Sequence, residues 1–175
     1  VEHQDFYSAS GFRLAYMNVR FEGKGLTWKF YPGIIELKNI PFFDVQSYDD
    51  DVFPVARPRF LQNWIRQSSG SALGIMDEGR LAGYGVIRSC RDGCKVGPLF
   101  ADNPDLADTL FQALLSQAGP DMPIFLDVPK TNLYAVELAE RYGMEETLEV
   151  ARMYNVPEPE FPLYRIYGVT SFELG

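Results

Sequence analysis

The chain has 175 residues, 46% of them hydrophobic and 23% charged, an ordinary globular composition with material for one good core and little more. A formal net charge of -8 and an isoelectric point near 4.7 argue against a phosphate-tracking surface, because nucleic-acid binders need clustered Lys and Arg to release counterions. No apolar run approaches the roughly 20 residues needed to cross a bilayer, and polar and charged residues follow Val1 where a signal would carry its apolar region; the expectation is a cytoplasmic protein with neither a nucleic-acid nor a membrane partner.

Glu2 to Ser10 reads as the end of a helix closed by Gly11, and Phe12 to Glu22 as a strand in which Leu14, Tyr16, Asn18 and Arg20 alternate against Ala15, Met17 and Val19. Glu22-Gly23-Lys24-Gly25 ends that strand, and a segment with Trp28, Phe30 and Tyr31 runs to the turn pair Pro32-Gly33. Ile34 to Leu37 opens a new strand. The boundary therefore falls near Gly33, with a short N-terminal piece over residues 1–32 and a complete domain over residues 33–175.

In that domain, Phe42 to Val52, with the acidic run Asp49 to Asp51, and Ala56 to Arg66, with Phe60, Leu61, Trp64 and Ile65 at helical spacing, read as two helices. Ala72 to Met76, Leu81 to Ser89 and Lys95 to Phe100 follow as an antiparallel meander joined at Asp77-Glu78-Gly79 and Arg91-Asp92-Gly93. The clearest helix comes next. Asp102 or Asn103 caps it, Pro104 takes its first position, Leu106, Leu110, Phe111, Leu114 and Leu115 share one face, and Gly119-Pro120 stops it. Pro123 to Val128 is a short buried strand, Thr131 to Arg141 a helix, and Leu148 to Tyr154 and Ile166 to Leu174 are closing strands.

Cys90 and Cys94 flank the Arg91-Asp92-Gly93 turn, so they could face each other across a hairpin, as reduced thiols or as a cross-strand disulfide. Two Cys and one distant His, His3, are too few for a zinc site, and no metal is expected.

The segment Phe6 to Phe21, FYSASGFRLAYMNVRF, is echoed by Leu138 to Met153, LAERYGMEETLEVARM. Gly11 aligns with Gly143, Phe12 with Met144 and Arg20 with Arg152 at one constant offset, and both copies read as helix, Gly stop, strand. A repeat unit without the rest of its domain implies a chain that begins inside one domain and then contains a whole second one. Tyr7 of the first copy aligns with Ala139 of the second.

The order of strand, two helices, three strands, helix, strand, helix and two strands resembles the GNAT (Gcn5-related N-acetyltransferase) fold. That resemblance implies a mixed α/β (α+β) domain, with a central, mostly antiparallel sheet splayed between two late strands and flanked by about four helices. Two motifs carry it. Val96-Gly97-Pro98-Leu99-Phe100-Ala101 resembles the strand whose backbone amides take the pantetheine arm of acetyl-CoA, and Asp102-Asn103-Pro104-Asp105-Leu106-Ala107 falls where the pyrophosphate cradle Q/R-x-x-G-x-G/A belongs. There Asp102 and Asp105 depart from the pattern and Ala107 conforms, which places two carboxylates in a field that would otherwise attract phosphate. Asn132 to Met144 resembles N-x-x-A-x-x-L-Y-x-x-x-G-F in frame, with Ala139 where family members place a Tyr that protonates the departing thiolate.

The resemblance thus implies acetyl-CoA or another acyl-CoA as cosubstrate, held by Val96, Gly97, Pro98, Leu99, Phe100, Asn103, Ala107 and Asn132, and a primary amine as acceptor. Tyr7 stands at the acid position of the first copy, and Tyr142 lies one helical turn from Ala139. Asp127, which ends the buried strand before Pro129, is the candidate base, with a helix-capping role or a pair with Lys130 as the alternative. Asp49 to Asp51 could draw a cationic amine or could form a solvated acidic face.

Over nearly its whole length the chain resembles the C-terminal part of a tandem GNAT protein with a divergent second domain; residues 1–32 would then be the remnant of the first. Two functions follow as expectations. The first is an acyl-CoA-dependent N-acyltransferase of which this chain is the C-terminal domain. The other is a catalytically weak pseudo-GNAT domain used for ligand binding or for packing, as a homodimer or against a missing N-terminal domain.

Overall fold

The computed structural model describes residues 4–27 and 29–174; His3, Trp28 and Gly175, included in the readings above, lie outside them. The N-terminal echo folds as a short helix α1 (Gln4–Ala9) and a long strand β1 (Arg13–Lys24), turned at Gly11, whose φ of 87° suits glycine. β2 (Ile34–Glu36) runs into one 3-10 turn, and α2 (Phe42–Val52) and α3 (Pro58–Trp64) follow. The meander is β3 (Gly70–Asp77), β4 (Arg80–Cys90) and β5 (Gly93–Ala101). α4 (Pro104–Ala118) starts as its punctuation predicts: Asn103 is the N-cap, accepting from the Leu106 amide at 3.0 Å, and Gly119 ends the helix at φ 81°. β6 (Pro123–Pro129), α5 (Leu133–Arg141), β7 (Glu145–Tyr154) and β8 (Ile166–Gly168) complete the order. None of the described helices is long and apolar enough to cross a membrane.

Among the described residues one sheet of eight strands runs β2-β3-β4-β5-β6-β1-β7, with β8 added beside β5. Every pairing is antiparallel except β5 with β6, which is parallel and holds over Cys94–Val96 against Ile124–Leu126 before the strands diverge. This is the mixed, splayed sheet that the sequence implied. Helices cover both faces. Leu110, Phe111, Leu114, Leu126, Val128 and Leu138 lie in one core with α4 and α5, and Leu37, Val45, Leu61, Tyr84 and Phe100 in another with α2 and α3.

The N-terminal strand is not set beside this sheet but inside it. β1 pairs with β6 from Asn18↔Pro129 to Lys24↔Pro123 and with β7 from Arg13↔Tyr154 to Glu22↔Glu145, so both its edges are occupied. Val19 and Phe21 are buried as a result.

Two local readings are corrected. The closing strand expected over Ile166 to Leu174 is a strand only over Ile166–Gly168, because the segment then leaves the ladder and the Val169 amide donates to the Asp127 carbonyl at 2.9 Å. Cys90 and Cys94 do not face each other: the register sets Ser89 opposite Cys94 and Cys90 opposite Gly93, and both thiols are free. Burial, with Cys90 beside it, pushes the Cys94 thiol up.

Candidate active site

The divergence of β5 from β6 makes a wedge whose one wall is Val96 to Phe100 and whose other wall is Asp127 and Val128. The chain's own C-terminal segment fills it. β8 pairs with β5 at Leu99↔Gly168 and Phe100↔Ile166, and the Val169 amide binds the Asp127 carbonyl on the opposite wall. A Cβ on Gly97 would meet the carbonyl oxygens of Thr170 at 2.6 Å and Val169 at 2.7 Å, and one on Gly168 would meet Leu126 at 2.7 Å. Gly97 is therefore needed for close backbone approach, whereas at Gly168 it is the Leu126 side chain that would have to yield. The Gly97 carbonyl accepts from the Trp64 indole at 2.9 Å.

Asn132 and Arg57 pin this segment from outside. Asn132 caps α5 through the Ala135 amide and donates to the carbonyls of Leu163 and Ile166, at 3.0 and 2.9 Å. Arg57 reaches the Thr170 hydroxyl at 3.3 Å while holding Asp49 with two nitrogens. Val96 to Phe100, Ala107 and Asn132 are all buried. β8 thus occupies the backbone edge of β5 that the family resemblance assigns to a pantetheine arm.

Asp127 has no exposed surface and is enclosed by two cations. Arg20 of β1 binds it through two nitrogens, at 2.7 and 3.0 Å, and Lys95 of β5 donates to its second oxygen. The hydrogen bonds that Arg20 donates to Asp127 raise its guanidinium further above its usual value, against the opposing effect of partial burial. Phe172 lies over both cations, with the Arg20 carbon 4.8 Å and the Lys95 nitrogen 5.3 Å from its ring centre. One carboxylate thus ties together β1, β5, β6 and the C-terminal segment. Lys130, the partner considered for it, instead binds Glu146 and Glu149.

At the start of α4, Asn103 caps the helix and Asp105 is exposed in the first turn. Asp102 points away to Arg165 at 2.7 Å, Arg80 at 3.0 Å and the Tyr48 hydroxyl at 3.0 Å. Its charge is matched by cations, so the electrostatic penalty expected for phosphate there rests on Asp105 alone. Asp49 is likewise buried between Arg57 and the Tyr84 hydroxyl, while Asp50 and Asp51 are exposed. Burial, then the Asp49 charge, pushes Tyr84 well above the ordinary phenol value.

The tyrosines do not converge on the wedge. Tyr142 donates to Asp108 of α4 at 2.8 Å and packs edge-on against Phe111; burial and that hydrogen bond raise its pKa. Tyr7 is half-exposed on α1 between Phe6 and Phe12. Ala139 is buried in the core. Sequence reasoning missed Lys95, Arg20 and Phe172. A lone Lys inside the apolar run of β5 was the available signal for the first, because a buried cation requires a partner. A cleft of about 480 Å³ opens elsewhere, bordered by Glu36, Arg66, Gln67, Ser71 and Gln117.

The sequence matches the family model for an acetyltransferase (GNAT) domain over residues 45–168. The holothin acyltransferase of Pseudoalteromonas sp. (strain SANK 73390) is 26% identical over 175 residues, which are 99% of this chain and 60% of that protein. A solved structure from Pyrococcus horikoshii, assigned as an acetyltransferase, superposes with a TM-score of 0.82 at 24% identity, over 99% of this chain and 57% of that one. A GCN5-related N-acetyltransferase from Sphaerobacter thermophilus gives a TM-score of 0.57 at 13% identity, over 85% and 54%. The chain therefore spans about 60% of the length of the curated relative that it matches.

Proposed function

The chain belongs to the GNAT acetyltransferase family, whose members use acyl-CoA as cosubstrate, and we propose that it is the C-terminal domain of an acyl-CoA-dependent N-acyltransferase acting on a primary amine, with a wedge of its own that serves as structure and takes no acyl-CoA. The observation that carries this reading is the closing segment: Gly168 and Ile166 occupy the edge of β5, and Val169 and Thr170 lie against Gly97. The chemistry agrees with the geometry. Asp127, the candidate base, is saturated by Arg20 and Lys95, and the acid position is Ala139. In this domain Gly97, Leu99, Phe100 and Asn132 hold the C-terminal segment, Val96 pairs with β4 and β6, Asn103 and Ala107 build the start of α4, and Asp127 and Tyr142 bind neighbouring elements. Residues 1–32 belong, on this reading, to the end of a first domain, which carries the acyl transfer. The 26% identical relative that acylates holothin supports acyl transfer as the reaction of the parent protein.

Calorimetric titration of residues 1–175 with acetyl-CoA and longer acyl-CoAs tests this. No heat at high micromolar concentration is expected. Saturable binding that Gly168→Leu leaves intact would overturn the closed wedge, because the larger side chain would clash with Leu126 and Leu99 and displace the segment if it were there. Asp127→Asn is expected to leave the turnover of the parent enzyme unchanged; a loss proportional to the missing base would return Asp127 to the chemistry.

A further inference from the structure

The two copies of the repeat are related by a two-fold rotation that runs through the sheet. In the first copy Ser10, Gly11 and Phe12 donate their amides to the carbonyls of Tyr7, Ser8 and Tyr7; in the second, Tyr142, Gly143 and Met144 donate to Ala139, Glu140 and Ala139. The turn hydrogen bonds are the same, position for position. The pairing between them is symmetric as well. Shifting both partners by the repeat offset turns Arg20↔Leu148 into Tyr16↔Arg152, Met17↔Ala151 into Val19↔Glu149 and Leu14↔Met153 into Phe21↔Glu146, while Asn18↔Val150 maps onto itself. Even the two register breaks correspond, since the unpaired residues are Ala15 in β1 and Thr147 in β7. This is the self-complementary geometry of an isologous interface.

The environments are not symmetric. β1 has β6 on its far edge, whereas β7 ends the sheet, with that edge bare among the described residues. The face of α5 carrying Leu138 and Ala139 is buried; the matching residues of α1 are Phe6, 70% exposed, and Tyr7, 47% exposed, and no residue of α1 is buried. The two bare surfaces are the ones that β6 and its covering helix would fill after the rotation.

We infer that the outer edge of β7 from residue 150 to its end, with the two residues that follow, together with the Phe6–Tyr7 face of α1, is an interface for a second GNAT unit, one that lays a strand equivalent to β6 antiparallel on β7 and an apolar floor under α1. This rests on the reading above that a first domain exists, and it fixes where that domain sits. A second copy of this chain is a poorer occupant, because its β6 is already covered by β1. Connectivity favours the same polypeptide: β6 passes into α5 through Lys130, Thr131 and Asn132 alone, so a strand on β7 would enter α1 by an equally short link.

Hydrogen exchange on residues 1–175 and on the complete natural polypeptide containing them decides the matter. Peptides over residues 4–9 and 150–156 are expected to exchange at least tenfold more slowly in the complete polypeptide. Equal exchange overturns the interface, and protection confined to other peptides overturns it while leaving a first domain in place. Phe6→Asp should lower the melting temperature of the complete polypeptide by roughly 3 °C or more and leave that of residues 1–175 unchanged; equal effects on both would also overturn it. Acyl-CoA titration, which judges the closed wedge, is read independently of all these outcomes.

Discussion

The α1–β1 and α5–β7 units share a backbone, yet one strand is enclosed where its helix is bare and the other helix is enclosed where its strand is bare. α5 buries Leu138 and Ala139 against its neighbours, but β7 has one free edge; β1 is paired along both edges, but α1 buries nothing. The difference teaches that the repeat is not the folding unit. Each copy acquires stability from what is packed on it, and six residues of isolated helix such as α1 are marginal in water.

The largest expected effect tests the strand half of the contrast. Asp127→Ala leaves Arg20 and Lys95 around a buried, vacated carboxylate, and breaking a buried pair from one side costs about 3–5 kcal/mol. Urea denaturation of residues 1–175 would measure it, and a loss under about 1 kcal/mol would mean that β1 is held by its ladder and not by its charge. Next comes the helix half. Leu138→Ala should cost about 2–5 kcal/mol as a core truncation, whereas its counterpart Phe6→Ala should stay within about 0.5 kcal/mol in the same chain. Similar costs at the two sites would erase the distinction.

Asn132→Ala is the intermediate case, because it tests whether the wedge is closed by α5. The substitution removes a helix cap, worth about 1 kcal/mol, and leaves the carbonyls of Leu163 and Ile166 without their donor. A total near 2 kcal/mol is expected, with faster proteolysis in the C-terminal segment. Loss of helix stability without that proteolysis would separate the cap from the latch.

How much of this the sequence disclosed follows from the range of the interactions. α4 is legible to the residue because Asn103, Pro104 and Gly119 act on their own neighbourhood. The repeat is legible because identical local chemistry gives identical turns, and the resemblance to the GNAT fold is legible in the order of elements. The filled wedge was not legible: Ile166 to Leu174 has the composition of a strand, but its partners, Leu99, Phe100 and Asp127, lie far away in the chain. Asp127 shows the same limit. A carboxylate ending a buried strand looks like a base until Arg20, from a strand more than a hundred residues earlier, is found against it. The placement of β1 between β6 and β7 is likewise decided by pairing alone, which alternation cannot specify.

Alkaline titration gives a smaller effect that bears on the enclosed regions. Tyr84 is pushed well above its ordinary value of 10.0, first by burial and then by Asp49, and Tyr16 and Tyr167 are pushed up to about 12, chiefly by burial. The unfolded chain therefore ionises these phenols first, so their contribution to stability is complete below pH 10 and declines as the pH rises from 10 through 12. Tyr84→Phe should flatten that decline in a melting series. An unchanged slope would show that the buried phenol is not the group being titrated.

The smallest effect isolates the backbone that the copies share. Gly11 and Gly143 both sit at positive φ, 87° and 63°, and an added Cβ would meet nothing within 4 Å at either. Alanine is therefore disfavoured at both sites by backbone conformation alone, with no steric clash to confuse the comparison, at a local cost of about 1 kcal/mol. That local cost reaches the global unfolding equilibrium only where the helix is part of the cooperative unit. Gly143→Ala should lose about 1 kcal/mol because α5 cannot unwind without exposing Leu138 and Ala139, whereas at Gly11 the exposed helix α1 can fray instead and the loss should stay below about 0.5 kcal/mol. Equal losses would mean that α1 is as firmly held as α5, and the asymmetry between the copies would then belong to their surfaces and not to their stability.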